Sequence, residues 1–118
     1  MMLKVKLFVS SQTIEGIFGG GKWHLLTALK HEGSIAKAAA SLGRSYRKAW
    51  GDIKVAEKGL GKKLITTLRG GEEGGRTELT PFAHELIKEW DEYFRDVEHY
   101  ALEKYDEKLK KLFDSGKV

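Results

Sequence analysis

Cysteine is absent from this sequence and proline occurs once. Without cysteine the chain has no disulfide, no thiol redox switch and no thiolate metal site. No apolar run approaches the roughly 20 residues that a membrane-spanning helix needs. The first ten residues alternate apolar and polar side chains, unlike the continuous apolar segment of a signal peptide. These absences predict a cytoplasmic protein with no membrane partner and with a single ordinary core.

Residue clusters that carry catalysis or bind metals are also missing from the sequence. The histidines show no paired ligand spacing, and they stand at His24, His31, His84 and His99. The Gly-Gly-Gly-Lys segment at 19–22 lacks the spacing and the following serine or threonine of a phosphate-binding loop. Many carboxylates of the last third stand near lysines, as on a solvated helix face. We therefore expect no enzyme activity, no metal and no cofactor.

The positive charge is concentrated in the middle of the chain. Residues 21–79 carry twelve lysines and arginines against six carboxylates, whereas residues 80–118 carry seven against ten. The net charge of the whole chain is +4. A basic middle beside an acidic tail is typical of a protein with one face directed at a polyanion, although a basic surface also serves solubility.

The hydrophobic pattern predicts an α+β fold that is mainly helical. β-type runs at both ends of 3–18 indicate an N-terminal β-hairpin. Helical periodicity indicates three core helices, at about 22–32, 34–42 and 45–60. Two short β-type runs around a glycine-rich tip predict a second hairpin, the wing, over 63–79. The predicted organisation is a winged helix-turn-helix domain over 1–79 and a long C-terminal dimerisation helix over 80–118.

The last helix carries an apolar stripe that so small a domain cannot cover. Thr80 is a natural N-cap, Pro81 suits the first helical position, and no further proline or glycine occurs before Gly116. A helix from 81 to about 114 would be on the order of 50 Å long. Apolar residues recur along it at steps of three and four. The stripe predicts a homodimer, and the alternative is a solvated helix packed on its own domain. The predicted dimer interface consists of Leu86, Trp90, Tyr93, Val97, Tyr100 and Tyr105.

The helix-turn-helix at 34–60 is the segment that points to function. Ser34 and Ser45 are natural N-caps, and the alanines at 38–40 allow two helices to cross closely. Away from its predicted core face, the third helix carries four cations and two aromatic residues. Cations near a helix N-terminus are locally unfavourable, but they suit a polyanionic partner. These residues are Tyr46, Arg47, Lys48, Trp50, Lys54 and Lys58.

This pattern predicts a recognition helix in the major groove of double-stranded DNA. Arg47 and Lys48 have the chemistry to bind guanine acceptors or phosphates. Trp50 is one position from Ala49 on the core face, so it faces either the core or DNA. The predicted DNA-binding residues are Ser34, Lys37, Ser45, Tyr46, Arg47, Lys48, Trp50, Lys54, Arg69, Gly70, Gly71 and Arg76.

Several segments also resemble a known family. They include Gly-Ser-Ile-Ala-Lys-Ala-Ala at 33–39, Ser-Tyr-Arg-Lys-Ala-Trp at 45–50 and the paired glycines within 70–75. Over about residues 3–100 the chain is similar to the N-terminal DNA-binding domain of molybdate-responsive (ModE-type) regulators, a relative of the LysR-type winged helix. The resemblance implies a recognition helix in the major groove, a wing on the flanking backbone and dimerisation through the last helix.

The chain departs from that family at three points. It stops at Val118, where full-length members continue into oxyanion-binding modules, so molybdate binding is not expected in this chain. Glu72 and Glu73 stand at the wing tip, and we expect them to point away from DNA while Arg69 and Arg76 contact it. Arg44 occupies a turn position that is often apolar, where it either contacts phosphate or is solvated.

The sequence thus predicts a sequence-specific transcriptional regulator that binds double-stranded DNA as a homodimer. Two other functions remain open: an architectural protein that coats DNA with little sequence preference, and a winged-helix module that binds protein. No motif in the sequence identifies the operator, an effector, or whether the protein activates or represses transcription.

Overall fold

The computed structural model describes residues 1–68 and 76–116. Its elements follow one another as a short β-hairpin, three helices, a second hairpin and a long helix. The predicted α+β, mainly helical fold class is therefore confirmed. The principal extents are 65 × 28 × 24 Å, because the last helix projects beyond the rest of the protomer.

The N-terminal hairpin is shorter than the pattern at 3–18 predicts. Strand β1 (Phe8–Val9) pairs antiparallel with β2 (Phe18–Gly19) over two residues only. A Cβ added at Gly19 would lie 3.0 Å from the Leu7 carbonyl oxygen, so glycine permits the close approach of the two strands.

Three helices follow, with ends set by local chemistry. The Ser34 hydroxyl accepts a hydrogen bond from the Lys37 amide at 3.1 Å, and this caps the second helix. The Ser45 hydroxyl caps the third helix through the Lys48 amide, also at 3.1 Å. Gly33 ends the first helix with a left-handed φ of 77°. The bounds are α1, Gly20–Glu32; α2, Ile35–Ser41; and α3, Tyr46–Leu60.

The second hairpin is present on both sides of residues 69–75, which lie outside the described residues. Strand β3 (Ile65–Leu68) pairs antiparallel with β4 (Arg76–Leu79) along its whole length. The Thr77 amide donates to the Gly33 carbonyl at 3.0 Å. This bond fixes the wing to the turn that precedes α2.

The long helix α4 (Pro81–Tyr105) begins as the sequence predicts. The Thr80 hydroxyl accepts from the Ala83 amide at 3.1 Å, and it donates to the Lys63 carbonyl at 2.7 Å. The helical backbone then continues through a π-helical turn at Asp106–Lys110 and a short helix α5 (Lys111–Phe113).

The core lies between the hairpins, the three short helices and the first half of α4. The Trp23 indole N–H donates to the Ile87 carbonyl at 3.0 Å, which ties α1 to α4. Trp90 is only 8% exposed, and its ring meets the edge of Phe18 with 5.2 Å between centroids. The sequence assigns Trp90 to the dimer interface, but the structure places it in the protomer's own core, because the N-terminal hairpin covers it.

Candidate nucleic-acid interface

Helix α3 buries one face and leaves the other free. Ala49, Ile53 and Ala56 are at most 2% exposed. Ala38 and Ala39 of α2 are equally buried in the same cluster, so α2 and α3 can approach closely. The remaining face of α3 points away from this core, and we call it the outward face. It carries Arg47, Lys48, Trp50, Lys54 and Lys58.

The two aromatic residues of α3 lie outside the core. Tyr46 is 55% exposed and Trp50 is 46% exposed. Of the two orientations left open for Trp50, the structure therefore shows the solvent-facing one. The Lys54 ammonium lies 5.5 Å from the centroid of the Trp50 ring, within cation–π range.

The first turns of α3 present positive charge. Arg47 and Lys48 are exposed, and the first turn contains no carboxylate. The Lys48 ammonium is 2.9 Å from Asp52, yet the lysine side chain remains 68% exposed. An exposed pair of this kind contributes about 0–1 kcal/mol, so Lys48 is able to exchange Asp52 for a phosphate. The positive end of the helix dipole adds to the same field.

Glu57 is a buried residue at this site that the sequence analysis misses. Its Oε2 accepts hydrogen bonds from the Leu64 amide at 2.8 Å and the Ile65 amide at 3.4 Å. Its Oε1 lies 3.1 Å from the Lys54 ammonium. Glu57 therefore joins the end of α3 to the start of the wing, and it orients Lys54.

The protonation of Glu57 follows from two opposing effects. Burial disfavours the charged carboxylate and would raise its pKa. The Leu64 amide, the Lys54 ammonium and the Ile65 amide favour the charged form more strongly, so the pKa of Glu57 lies below its ordinary value. A glutamate in a helical pattern resembles any solvated glutamate, and only the long-range contact with β3 distinguishes it.

Arg44 and Lys22 bind backbone carbonyls near the start of α1. The Arg44 guanidinium donates to the Gly21 carbonyl at 3.1 Å, so it has a structural partner that neither expectation for this residue foresees. The Lys22 ammonium donates to the Gly16 carbonyl at 2.6 Å, and burial lowers the pKa of Lys22.

The turn before α2 brings together two predicted sites that are distant in sequence. Thr77 hydrogen-bonds to Gly33, so its neighbour Arg76 lies close to the Ser34 cap. Lys37 and Arg76 are both exposed. The predicted contacts at Arg69, Gly70 and Gly71 lie outside the described residues, as do Glu72 and Glu73.

The predicted dimer residues divide into three groups along α4. Leu86 packs against the core, as Trp90 does. Tyr93 and Tyr100 are 53% and 62% exposed, and Val97 between them is partly exposed. These three recur at steps of four and three, and we call them the tyrosine stripe. Tyr105 lies further along the helix, partly buried against Phe113.

Residues 1–68 and 76–116 show neither a metal-binding cluster nor a membrane-spanning helix. No group of three or more histidine, aspartate or glutamate side chains there is arranged to hold a metal ion. Within the same residues, no helix is both long enough and apolar enough to span a membrane.

Comparison with known proteins places this geometry in a family. Residues 21–84 match the model of the bacterial regulatory helix-turn-helix protein, lysR family. The chain is 44% identical over 71 residues to the molybdenum transport protein ModE of Herbaspirillum seropedicae, which covers 60% of this chain and 26% of that protein. It is 35% identical over 75 residues to the transcriptional regulator ModE of Haemophilus influenzae, which covers 64% and 29%. The chain thus matches little more than a quarter of the length of these relatives.

Solved structures share the fold. The structure of the CbnR_DBD–DNA complex superposes with a TM-score of 0.55 at 20% identity, and it covers 69% of this chain and 87% of that one. The BenM_DBD/benA site 1 DNA complex gives a TM-score of 0.53 at 22% identity and covers 82% and 97%. At these identities the likeness concerns the fold alone.

Proposed function

This chain belongs to the bacterial regulatory helix-turn-helix proteins of the lysR family, and from that premise we propose that it is a sequence-specific transcriptional regulator that binds double-stranded DNA as a homodimer. In this proposal α3 enters the major groove and the wing follows the flanking backbone. The proposal concerns the DNA-binding domain, and it does not extend to molybdate.

The observation that carries the proposal is the chemistry of the outward face of α3. Arg47, Lys48 and Lys54 stand on a helix whose other face is buried, with Ala49, Ile53 and Ala56 in the apolar core. Guanidinium and ammonium groups suit phosphate and guanine acceptors, and the exposed rings of Tyr46 and Trp50 suit a base edge or a thymine methyl. Catalysis would require a nucleophile beside a base, whereas this face offers cations and aromatic rings.

The homodimer is supported by the tyrosine stripe. Tyr93, Val97 and Tyr100 follow the steps of a coiled-coil seam on a helix that projects beyond its own core. Tyr93 and Tyr100 are more than half exposed, and exposed side chains of this kind gain by contact with a partner surface. A second copy would hold two recognition helices at about 34–36 Å, the spacing of successive turns of the major groove.

Binding measured against salt, with selected and random duplexes in parallel, tests the proposal. The selected duplex is obtained by enrichment from a random-sequence pool with the wild-type protein. We expect the selected duplex to bind roughly 10³-fold or more tightly than random DNA. A steep salt dependence without that ratio would indicate an architectural protein, and no DNA binding would indicate a module for protein partners.

A further inference from the structure

Gly51 stands at the centre of the outward face of α3. It is two residues from both Ala49 and Ile53, which places it about 160° around the helix from each of these buried side chains. Arg47 lies one turn before it and Lys54 one turn after it. The middle of this cationic face is therefore bare backbone.

The protomer itself gives no reason for this glycine. A Cβ added at Gly51 would meet no atom within 4 Å among the described residues. Its φ is not in the left-handed region that favours glycine. Glycine is less favourable than alanine inside a helix, so this position weakens α3 without improving any contact in the described structure.

Gly59, in the same helix, is a glycine that close packing within the protomer requires. A Cβ there would lie 2.6 Å from Ile17 Cγ1, and Ile17 is only 4% exposed. Gly59 is thus explained by the close approach of the N-terminal hairpin. Gly51 has the same residue type and the same helical setting, but no described atom of the protomer would lie within 4 Å of a Cβ there.

We propose that Gly51 is the point at which DNA comes closest to α3, and that a side chain there would hold the recognition helix out of the groove. This inference rests on the proposed function and assigns a position to the closest contact. The cations Arg47, Lys54 and Lys58 surround this position, and they favour a polyanion over a protein as the approaching partner. Without a Cβ, the helix backbone can settle closer to base edges.

The test substitutes Gly51→Ala and Gly51→Leu, with Gly59→Ala as the matched control. Alanine and leucine are better helix formers than glycine, so both Gly51 variants should melt above the wild type, by roughly 3–6 °C for Gly51→Ala. Gly51→Ala should bind the wild-type-selected duplex roughly tenfold more weakly, and Gly51→Leu more weakly still. Gly59→Ala should show the reverse: a lower Tm and an unchanged affinity of the folded protein.

The outcomes separate this inference from the function it rests on. If the wild type enriches a duplex and Gly51→Ala binds it as tightly, the close approach is refuted and the proposed function stands. A fall in the Tm of Gly51→Ala would also refute the inference, because the glycine would then have a role within the protomer. If the wild type enriches no duplex at all, the proposed function itself fails.

Discussion

The outward face of α3 and the tyrosine stripe of α4 are both surfaces that the protomer does not use, yet their chemistry differs. The first carries Arg47, Lys48 and Lys54 beside two rings. The second carries Tyr93, Val97 and Tyr100, and the Lys104 ammonium lies 5.6 Å from the Tyr100 ring centroid at its C-terminal end. The outward face lies on a helix whose other side is buried, whereas the stripe lies where α4 extends beyond the core of the protomer.

The difference agrees with the two partners proposed for these faces, DNA and a second copy of the chain. Charged side chains lose favourable hydration when they are buried, so a basic face suits a hydrated polyanion whose counterions it displaces. Large apolar groups gain by leaving water, so the stripe suits another protein surface. The predictions below test this division of roles, from the largest expected effect to the smallest.

Substitutions in the tyrosine stripe should have a larger effect on DNA affinity than substitutions on the outward face of α3. Val97→Glu combined with Tyr100→Glu places two charges in the proposed seam, and sedimentation should show monomers. Loss of simultaneous binding at two half-sites should lower DNA affinity by roughly 10²–10⁴-fold. Leu102→Glu, on the opposite side of α4, is the matched control and should leave both properties unchanged. A monomeric wild type at micromolar concentration would refute the seam.

Glu57 connects the end of α3 to the start of the wing, and its loss should destabilise the fold. Glu57→Ala leaves the Leu64 and Ile65 amides without their acceptor, and we expect a loss of about 2–3 kcal/mol in unfolding free energy. Chemical denaturation at neutral pH measures this loss. An unchanged midpoint would mean that the wing does not depend on this carboxylate.

The same carboxylate predicts a pH dependence with a definite sign. Because the pKa of Glu57 is lower in the folded state, its stabilisation is complete above the unfolded pKa and is lost as the pH falls through the folded pKa. Glu57→Gln keeps one acceptor oxygen but cannot titrate. The variant should therefore be less stable than the wild type at neutral pH, and the difference should shrink in acid. A difference in unfolding free energy between the variant and the wild type that stays the same at all pH values would contradict this assignment.

Arg47 and Lys54 should differ in how they contribute to DNA binding. Arg47→Ala should cost about 1–3 kcal/mol on the selected duplex and much less on random DNA, because a guanidinium can pair with guanine. Lys54→Ala should weaken both duplexes about equally, because an ammonium that far along the helix reaches backbone more easily than bases. Equal losses for Arg47→Ala would show that this residue does not read sequence.

The wing should give the smallest effect. Arg76→Ala should weaken binding to all duplexes by less than about 1 kcal/mol and reduce the salt slope by about one. The salt dependence of binding to both duplexes measures this change. A changed base preference in the variant would show that the wing reads bases.

Local chemistry explains which parts of the fold were predictable. The caps at Ser34, Ser45 and Thr80 depend on residues three positions away, so the sequence alone reveals them. Trp90 illustrates the limit: periodicity shows that it is apolar and on one face, but not that a hairpin from the other end of the chain covers it.

The candidate site shows the same division between local and long-range information. The basic face of α3 follows from helical spacing, and Lys54 lies there as expected. Glu57 could not be distinguished from a solvated glutamate by its sequence position, because its role depends on where β3 lies. The partner of Arg44 was hidden for the same reason, since its contact with Gly21 joins the turn before α3 to the start of α1, 23 positions earlier in the sequence.

The mass of the complex between wild-type protein and the selected duplex tests the central claim most directly. Sedimentation of a duplex titrated with protein should give two protomers per duplex, and the selected sequence should contain an inverted repeat with half-site centres about 34–36 Å apart. A saturated complex that contains one protomer on a site without this symmetry would contradict the account.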